Sequence, residues 1–196
     1  VTAQTCAGYL AGASWTVFST TGTVSAFMTT LLTSRLQLVP LADQHLEGLH
    51  AINSDPAVMT YIGDGAPLSL PQSQLMIATV QQRWAEHGMS WWALLRRDDG
   101  AMVGAAALQP LEARTGGVPE IGWRLRRSCW GLGYATEAAQ AAVEHARLGG
   151  ERRLMAVAYP RNLASIAVMR RLGMLYRGIE THYNTPCATF ELDLQK

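Results

Sequence analysis

The segment from Trp130 to Gly150, WGLGYATEAAQAAVEHARLGG, leaves this chain little architectural freedom. Ala135, Ala138, Ala139, Ala142, Val143 and Ala146 recur at offsets of three and four, which lines them along one face of a helix from about Gly133 to Leu148. Side chains that small let the helix approach a sheet closely, and Gly149-Gly150 stop it. Gly131 and Gly133 stand at its entrance. First-turn N–H groups lack partners inside a helix, and the helix dipole adds partial positive charge at the same place. Glycines there keep side chains off the backbone, so that an anion such as a pyrophosphate can approach. The same glycines also suit a tight strand-to-helix turn with no ligand, and spacing alone leaves both readings open. The dinucleotide fingerprint lacks its third glycine, and no Gly-Lys-Ser/Thr of a Walker loop occurs.

Strand and helix patterns alternate around this segment. RLQLVP reads as a short strand ended by Pro40, and Asp43 as the cap of a helix carrying Leu46, Leu49, His50 and Ile52 that ends before Asp55-Pro56. The Gly/Pro-rich loop GDGAPLSLP precedes a second helix from about Pro71 to Glu86, closed by His87-Gly88. SWWALLRR and MVGAAALQPL flank Asp98-Asp99-Gly100 as a hairpin, and VPEIGWRLRR follows a turn at Thr115-Gly116-Gly117. Beyond the alanine helix come RLMAVAY, broken by Pro160, a helix capped by Asn162 that ends at Gly173, and two closing strands, MLYRGIETHY and ATFELDL. The order β-α-α-β-β-β-α-β-α-β-β describes one mixed α/β domain over residues 28–196, long enough to bury a real core. Residues 1–27 contain no Asp, Glu, Lys or Arg and show no sustained period, so they read as a flexible N-terminal extension and not as a secretory signal.

Charge and cysteine usage exclude several classes. The formal net charge of +1 gives no nucleic-acid footprint, and Arg126-Arg127, Arg152-Arg153 and Arg170-Arg171 are short basic pairs of the kind usually solvated. Arginines beside a phosphate-bearing ligand would be the exception. Cys6, Cys129 and Cys187 form an odd set without paired spacing, which argues against a disulfide framework and fits a reducing cytoplasm. No metal-ligand spacing occurs among the histidines, and no stretch reaches transmembrane length.

The run EIGWRLRRSCWGLGYATEAA resembles the acetyl-coenzyme A signature of the GCN5-related N-acetyltransferases, in the form used by the RimJ/RimL-type branch. In the loop pattern Q/R-x-x-G-x-G/A, Trp130 takes the first place, Gly133 the glycine and Ala135 the last; tryptophan departs from the broad consensus and agrees with that branch. The second signature, N-x-x-S…L-G-M, is matched by Asn162, Ser165, Leu172, Gly173 and Met174. The resemblance runs from about Leu31 to the C-terminus. It implies the GNAT fold, a mostly antiparallel sheet splayed at its middle between the strand Val118 to Arg126 and the strand RLMAVAY. Acetyl-CoA is the implied co-substrate. Its pantetheine arm would pair with backbone groups around Trp123 and Leu125 and with Asn162. Its pyrophosphate would meet the N–H groups of Leu132, Gly133, Tyr134, Ala135 and Thr136.

Direct acetyl transfer to an amine needs a base, an oxyanion donor and a proton for the departing thiolate. A backbone N–H between Trp123 and Leu125 is the expected oxyanion donor. Glu120 is the candidate base: on its strand it shares a face with Gly122 and Arg124, and desolvation in a cleft would raise its pKa. An exposed carboxylate paired with Arg124 is the plainer reading of the same residue. Ser165 is the candidate acid, since the tyrosine many relatives use four residues on is Met169 here, and Tyr176 lies beyond the helix stop. The plainer reading of Ser165 is a serine bonding its own helix backbone. Glu137 reads as a helix-dipole partner, and Trp84, Trp91 and Trp92 as core or as the wall of the acceptor cleft. The expected acceptor is a primary amine, a protein N-terminus or a small molecule, with no nucleic acid, metal or membrane involved and with room for a homodimer. The rivals are a non-catalytic coenzyme A sensor of the same fold and an unrelated phosphate-ligand enzyme sharing the G-x-G turn.

Overall fold

The computed structural model describes residues 29–114 and 116–195, so the expected extension over residues 1–27 lies outside the described residues. The chain opens with β1 (Leu31–Leu32) and β2 (Leu36–Pro40), an antiparallel pair of which the two-residue β1 has no counterpart in the sequence reading. Asp43 does not cap the next helix. It lies inside a 3-10 turn, Asp43–His45, which runs into α1 (Leu46–Asn53), and His45 Nδ1 accepts from the Ala42 N–H at 3.0 Å, closing that turn. Asp55-Pro56 begins a helix as well as ending one. Asp55 accepts from the Ala57 N–H, and Pro56, in the first turn where no N–H is required, opens the short α2 (Pro56–Met59). In α3 (Leu70–His87) Ser69 and Gln72 form a reciprocal capping box, and Gly88 at φ 66° ends the helix.

The hairpin of β3 (Trp91–Arg96) and β4 (Met102–Pro110) forms around Gly100, and β5 (Pro119–Leu125) pairs with β4 from Pro110↔Pro119 to Gly104↔Leu125. Then follow α4 (Tyr134–Leu148), β6 (Arg153–Ala158), α5 (Leu163–Arg171), β7 (Leu175–His182) and β8 (Thr185–Asp193). The eight strands form one sheet in the order β1-β2-β3-β4-β5-β6-β8-β7. Every pairing is antiparallel except β5 with β6, which run parallel and register at a single point, Glu120↔Met155. Beyond that point the strands part, and the sheet is split at its middle as expected.

The core fills the space between sheet and helices. Trp84 and Trp92 meet edge to face with centroids 5.0 Å apart, Trp91 and Trp123 are buried beside them, and all of them belong to one apolar cluster. The tryptophans at 84, 91 and 92 are therefore core and not cleft wall. The α4 alanines at 138, 139, 142 and 146 are buried against the sheet, as their spacing requires. Arg124 lies fully inside, donating to Asn53 Oδ1 of α1 and resting on the Trp91 ring, which ties α1 to β5. No helix among the described residues is long and apolar enough to cross a membrane. Cys129 and Cys187 are buried thiols, and no cluster among the described residues could hold a metal ion.

Candidate active site

The loop into α4 is drawn tight before the helix begins. A 3-10 turn, Arg127–Cys129, leads to Trp130, whose indole N–H donates to Leu125 O at 3.0 Å and ties the loop to the end of β5. Gly131 and Gly133 hold φ of +74° and +84°, left-handed conformations that only glycine adopts without strain. A Cβ at Gly131 would meet open space, whereas one at Gly133 would come within 3.3 Å of Arg35 Nη2. The turn alone therefore requires both glycines. The first helical hydrogen bond runs from Glu137 N to Gly133 O at 3.1 Å. Among the described residues, none of the N–H groups from Leu132 to Thr136 donates to a carbonyl.

Gly133, Ala135 and Thr136 of this stretch line a cleft of about 730 Å³. Gly131, Gly133, Ala135, Thr136 and Gln140 form one wall, and Leu163, Ala164, Ala167, Val168 and Arg171 of α5 the other. Of the residues singled out in the sequence, Leu125, Gly133, Ala135 and Thr136 line it. Leu132 turns its side chain outwards and Tyr134 buries its ring, so these residues can offer the cleft only their backbone. Leu125 O accepts from Trp130, which occupies one of its two lone pairs.

Arg35 and Glu137 anchor the helix mouth. Glu137 Oε1 accepts from Thr33 Oγ1, Ser34 Oγ and the Arg35 N–H at 2.6, 3.1 and 2.8 Å, and Oε2 accepts from Arg35 Nε at 2.7 Å. Arg35 also donates to Leu132 O at 2.9 Å and lies over the Tyr134 ring. Burial pushes the Glu137 carboxyl up, but the donors from Thr33, Arg35 and Ser34 outweigh it and hold the group below the usual carboxylate range. Glu137 is thus more than a dipole partner. Sequence reasoning missed Arg35 because its partner is 102 residues away.

At the single point where β5 and β6 still touch sits Glu120, fully buried. It is not the exposed partner of Arg124, which bonds Asn53 instead. Its Oε2 accepts from the Tyr183 hydroxyl at 2.5 Å, while its Oε1 accepts no hydrogen bond. Desolvation raises its pKa to about 7; the Tyr183 hydroxyl, the neighbouring Gln109 side chain and the Arg83 charge oppose the rise, and the Glu112 charge adds to it. Asn162 Oδ1 caps α5 by accepting from Ser165 N at 3.2 Å. Asn162, Ser165, Trp123 and Met169 are all buried, and none lines the open cleft, whose α5 wall follows the 163, 164, 167, 168, 171 face.

A cleft bordered by vacant amides at a helix N-terminus, with Arg171 opposite and the nearby Glu137 charge neutralised by Arg35, fits a phosphate-bearing ligand. Glu120, a desolvated carboxyl titrating near neutrality, is fully buried and does not itself line this cleft.

Comparison with known proteins converges on one family. The model described as acetyltransferase (GNAT) domain matches residues 35–175. The FsC-acetyl coenzyme A-N(2)-transacetylase of Aspergillus fumigatus is 30% identical over 163 residues, covering 79% of this chain and 68% of the relative. A GNAT-family acetyltransferase structure from Bacillus anthracis superposes with a TM-score of 0.73 at 22% identity, over 86% of this chain and all of that one. The RimL ribosomal L7/L12 alpha-N-protein acetyltransferase, solved with coenzyme A, superposes with a TM-score of 0.68 at 19% identity, over 84% of this chain and 98% of that one.

Proposed function

The chain belongs to the GNAT acetyltransferase family, and on that footing we propose that it is an acetyl-CoA-dependent N-acetyltransferase of the RimJ/RimL type acting on a primary amine. The acceptor is a protein N-terminal α-amine or a small amine. The observation that carries the reading is the row of vacant N–H groups from Leu132 to Thr136 at the entrance to α4, where Gly133, Ala135 and Thr136 line the cleft, which suits a diphosphate. The W-G-L-G-Y-A-T-E-A run favours the branch. The name of the Aspergillus fumigatus relative supports the co-substrate.

When bound, acetyl-CoA would supply the acetyl thioester. In this assignment the amides of Leu132, Gly133, Tyr134, Ala135 and Thr136 hold phosphate oxygens. Trp123 and Leu125 flank the arm on the β5 side of the fork, and Asn162 meets it from α5. A backbone N–H between Trp123 and Leu125 faces the developing oxyanion, on the stretch of β5 that has no β6 partner. Glu120 takes the acceptor's proton, directly or through a water, and its desolvated carboxyl is the group best matched to that task at neutral pH. Ser165 gives a proton to the thiolate. The buried, unbridged thiols agree with a cytoplasmic setting, and light scattering of the purified chain would test the homodimer.

The deciding experiment follows thiol release from acetyl-CoA across a panel of amines, beside calorimetric binding of coenzyme A. Amine-dependent thiol release is the expected result. Binding without release for every amine would turn the reading into a coenzyme A sensor. Absence of binding would remove both.

A further inference from the structure

Glu120 is held from outside its own strand, by a residue whose conformation is itself constrained. Tyr183 and Asn184 form the turn between β7 and β8 with φ of +53° and +56°, the sign a tight hairpin of this hand requires. Asparagine tolerates that region; a tyrosine there is uncommon and needs its surroundings to keep it in place. Glu112, itself at φ +55°, does so from the end of β4. Its Oε1 accepts from the Tyr183 N–H at 2.8 Å, and its own N–H donates to the Tyr183 hydroxyl oxygen at 3.1 Å. With an oxygen lone pair occupied in this way, the hydroxyl directs its single proton to Glu120 Oε2.

We propose that Tyr183 is the positioning residue of Glu120: its hydroxyl fixes Oε2 and leaves Oε1, which has no hydrogen bond, as the oxygen that takes the acceptor's proton. The proposal rests on the reading of Glu120 as the base. In that step an N–H bond of the acceptor breaks, its electron pair stays on nitrogen for attack on the acetyl carbon, and an O–H bond forms at Oε1. The matched family segment ends at Leu175, before this hairpin, so the match assigns nothing to Tyr183.

The other groups around the carboxyl are accounted for. Gln109 on β4 turns its amide oxygen to Trp91 Nε1 and Arg83 Nη1, at 3.0 and 3.1 Å, which leaves its NH2 end to favour the ionised Glu120. Arg83 on α3 favours the ionised carboxylate and Glu112 opposes it. Burial and the Glu120 charge push the Tyr183 phenol well above its usual range, so it stays a neutral donor wherever Glu120 titrates.

Tyr183→Phe removes the proton and keeps the ring. The primary readout is the carbon-13 carboxyl titration of Glu120 in the whole chain, assigned by its loss in Glu120→Gln; it needs no acceptor. Its midpoint, near pH 7 in the native protein, is expected to rise by about half a unit or more in Tyr183→Phe. With acetyl-CoA and an amine from the panel, the acid limb of kcat/KM moves up equally. At pH 7 kcat falls about tenfold with KM for acetyl-CoA unchanged: about twofold is the lost ionised fraction, which is recovered by pH 9, and the rest is the misplaced Oε1. Asn184→Gly eases the turn but keeps the hydroxyl, so its midpoint should match the native one, and it supplies the background if Tyr183→Phe alone does not fold. An unmoved midpoint in the folded Phe variant overturns the proposal. A moved midpoint with no thiol release from any amine overturns the acetyl-transfer reading and leaves the grip of Tyr183 on Glu120 standing.

Discussion

Arg35 places both Nε and Nη2 on Glu137 Oε2, at 2.7 and 2.6 Å, although 102 residues separate them. The contact joins the β1–β2 turn to the first turn of α4. It cancels a carboxylate that would otherwise repel an anion at the helix mouth, and it leaves Arg35 Nη1 to hold Leu132 O. The loop is thereby preorganised by a clamp whose two residues themselves line the cleft.

Glu137→Gln should cost about 1 kcal/mol of stability at neutral pH, kept small because the Arg35 side is half exposed. Because the folded carboxyl lies below its usual range, its contribution is present above the unfolded pKa and disappears as pH falls through the folded one. Urea unfolding between pH 3 and pH 7 should therefore show a shallower loss of stability on the acid side for Glu137→Gln than for the native chain. An unchanged acid limb would remove the clamp from the stability of this fold.

Gly131→Ala and Gly133→Ala should differ. Both strain a positive φ, at about 1–2 kcal/mol, but only Gly133 places the new methyl against Arg35. Coenzyme A titration calorimetry should show roughly tenfold weaker binding for Gly133→Ala, with a smaller change for Gly131→Ala. A larger loss at Gly131 would contradict the assignment of the cleft's phosphate wall.

Glu120→Gln should lower kcat by about a hundredfold and abolish the acid limb centred near pH 7. Stability should move the other way. A carboxyl whose pKa is raised on folding stabilises most when protonated, and that contribution fades as pH rises from about 4 towards 7. The Gln variant escapes this loss and should be the more stable protein at pH 8, by up to about 3 kcal/mol. Differential scanning calorimetry at pH 5 and pH 8 checks the sign.

Ser165→Ala should reduce turnover about tenfold at saturating acetyl-CoA and leave coenzyme A affinity unaltered if its hydroxyl delivers the proton. Asn162→Ala, which removes the cap on Ser165 N, should instead cost about 1 kcal/mol of stability. Full turnover in Ser165→Ala would confine that serine to packing at the head of α5.

Local chemistry made much of this architecture readable. The alanine spacing from 135 to 146, the capping residues Gly88 and Asn162, and the Asp99-Gly100 turn each fix their element through neighbours in sequence. Asp43 and Pro56 misled because one local signal serves two outcomes: an aspartate suits a helix cap or a first turn, and a proline can end a helix or start one. The cleft face of α5 was present in the 163, 164, 167, 168, 171 spacing, which passes Ser165 by. Arg35, Tyr183 and Glu112 left no such trace. Their roles come from contacts across 102, 63 and 71 residues, which no periodicity encodes.

The single register point between β5 and β6 divides the sheet into halves that should come together late in folding. Glu120 belongs to one half and the hydroxyl that holds it to the other, so neither half carries the Glu120–Tyr183 pair alone. Closing a loop of that length is slow compared with making a helix or a hairpin. A refolding chain should regain its helices and its affinity for anions at the α4 entrance before it regains the ability to turn over.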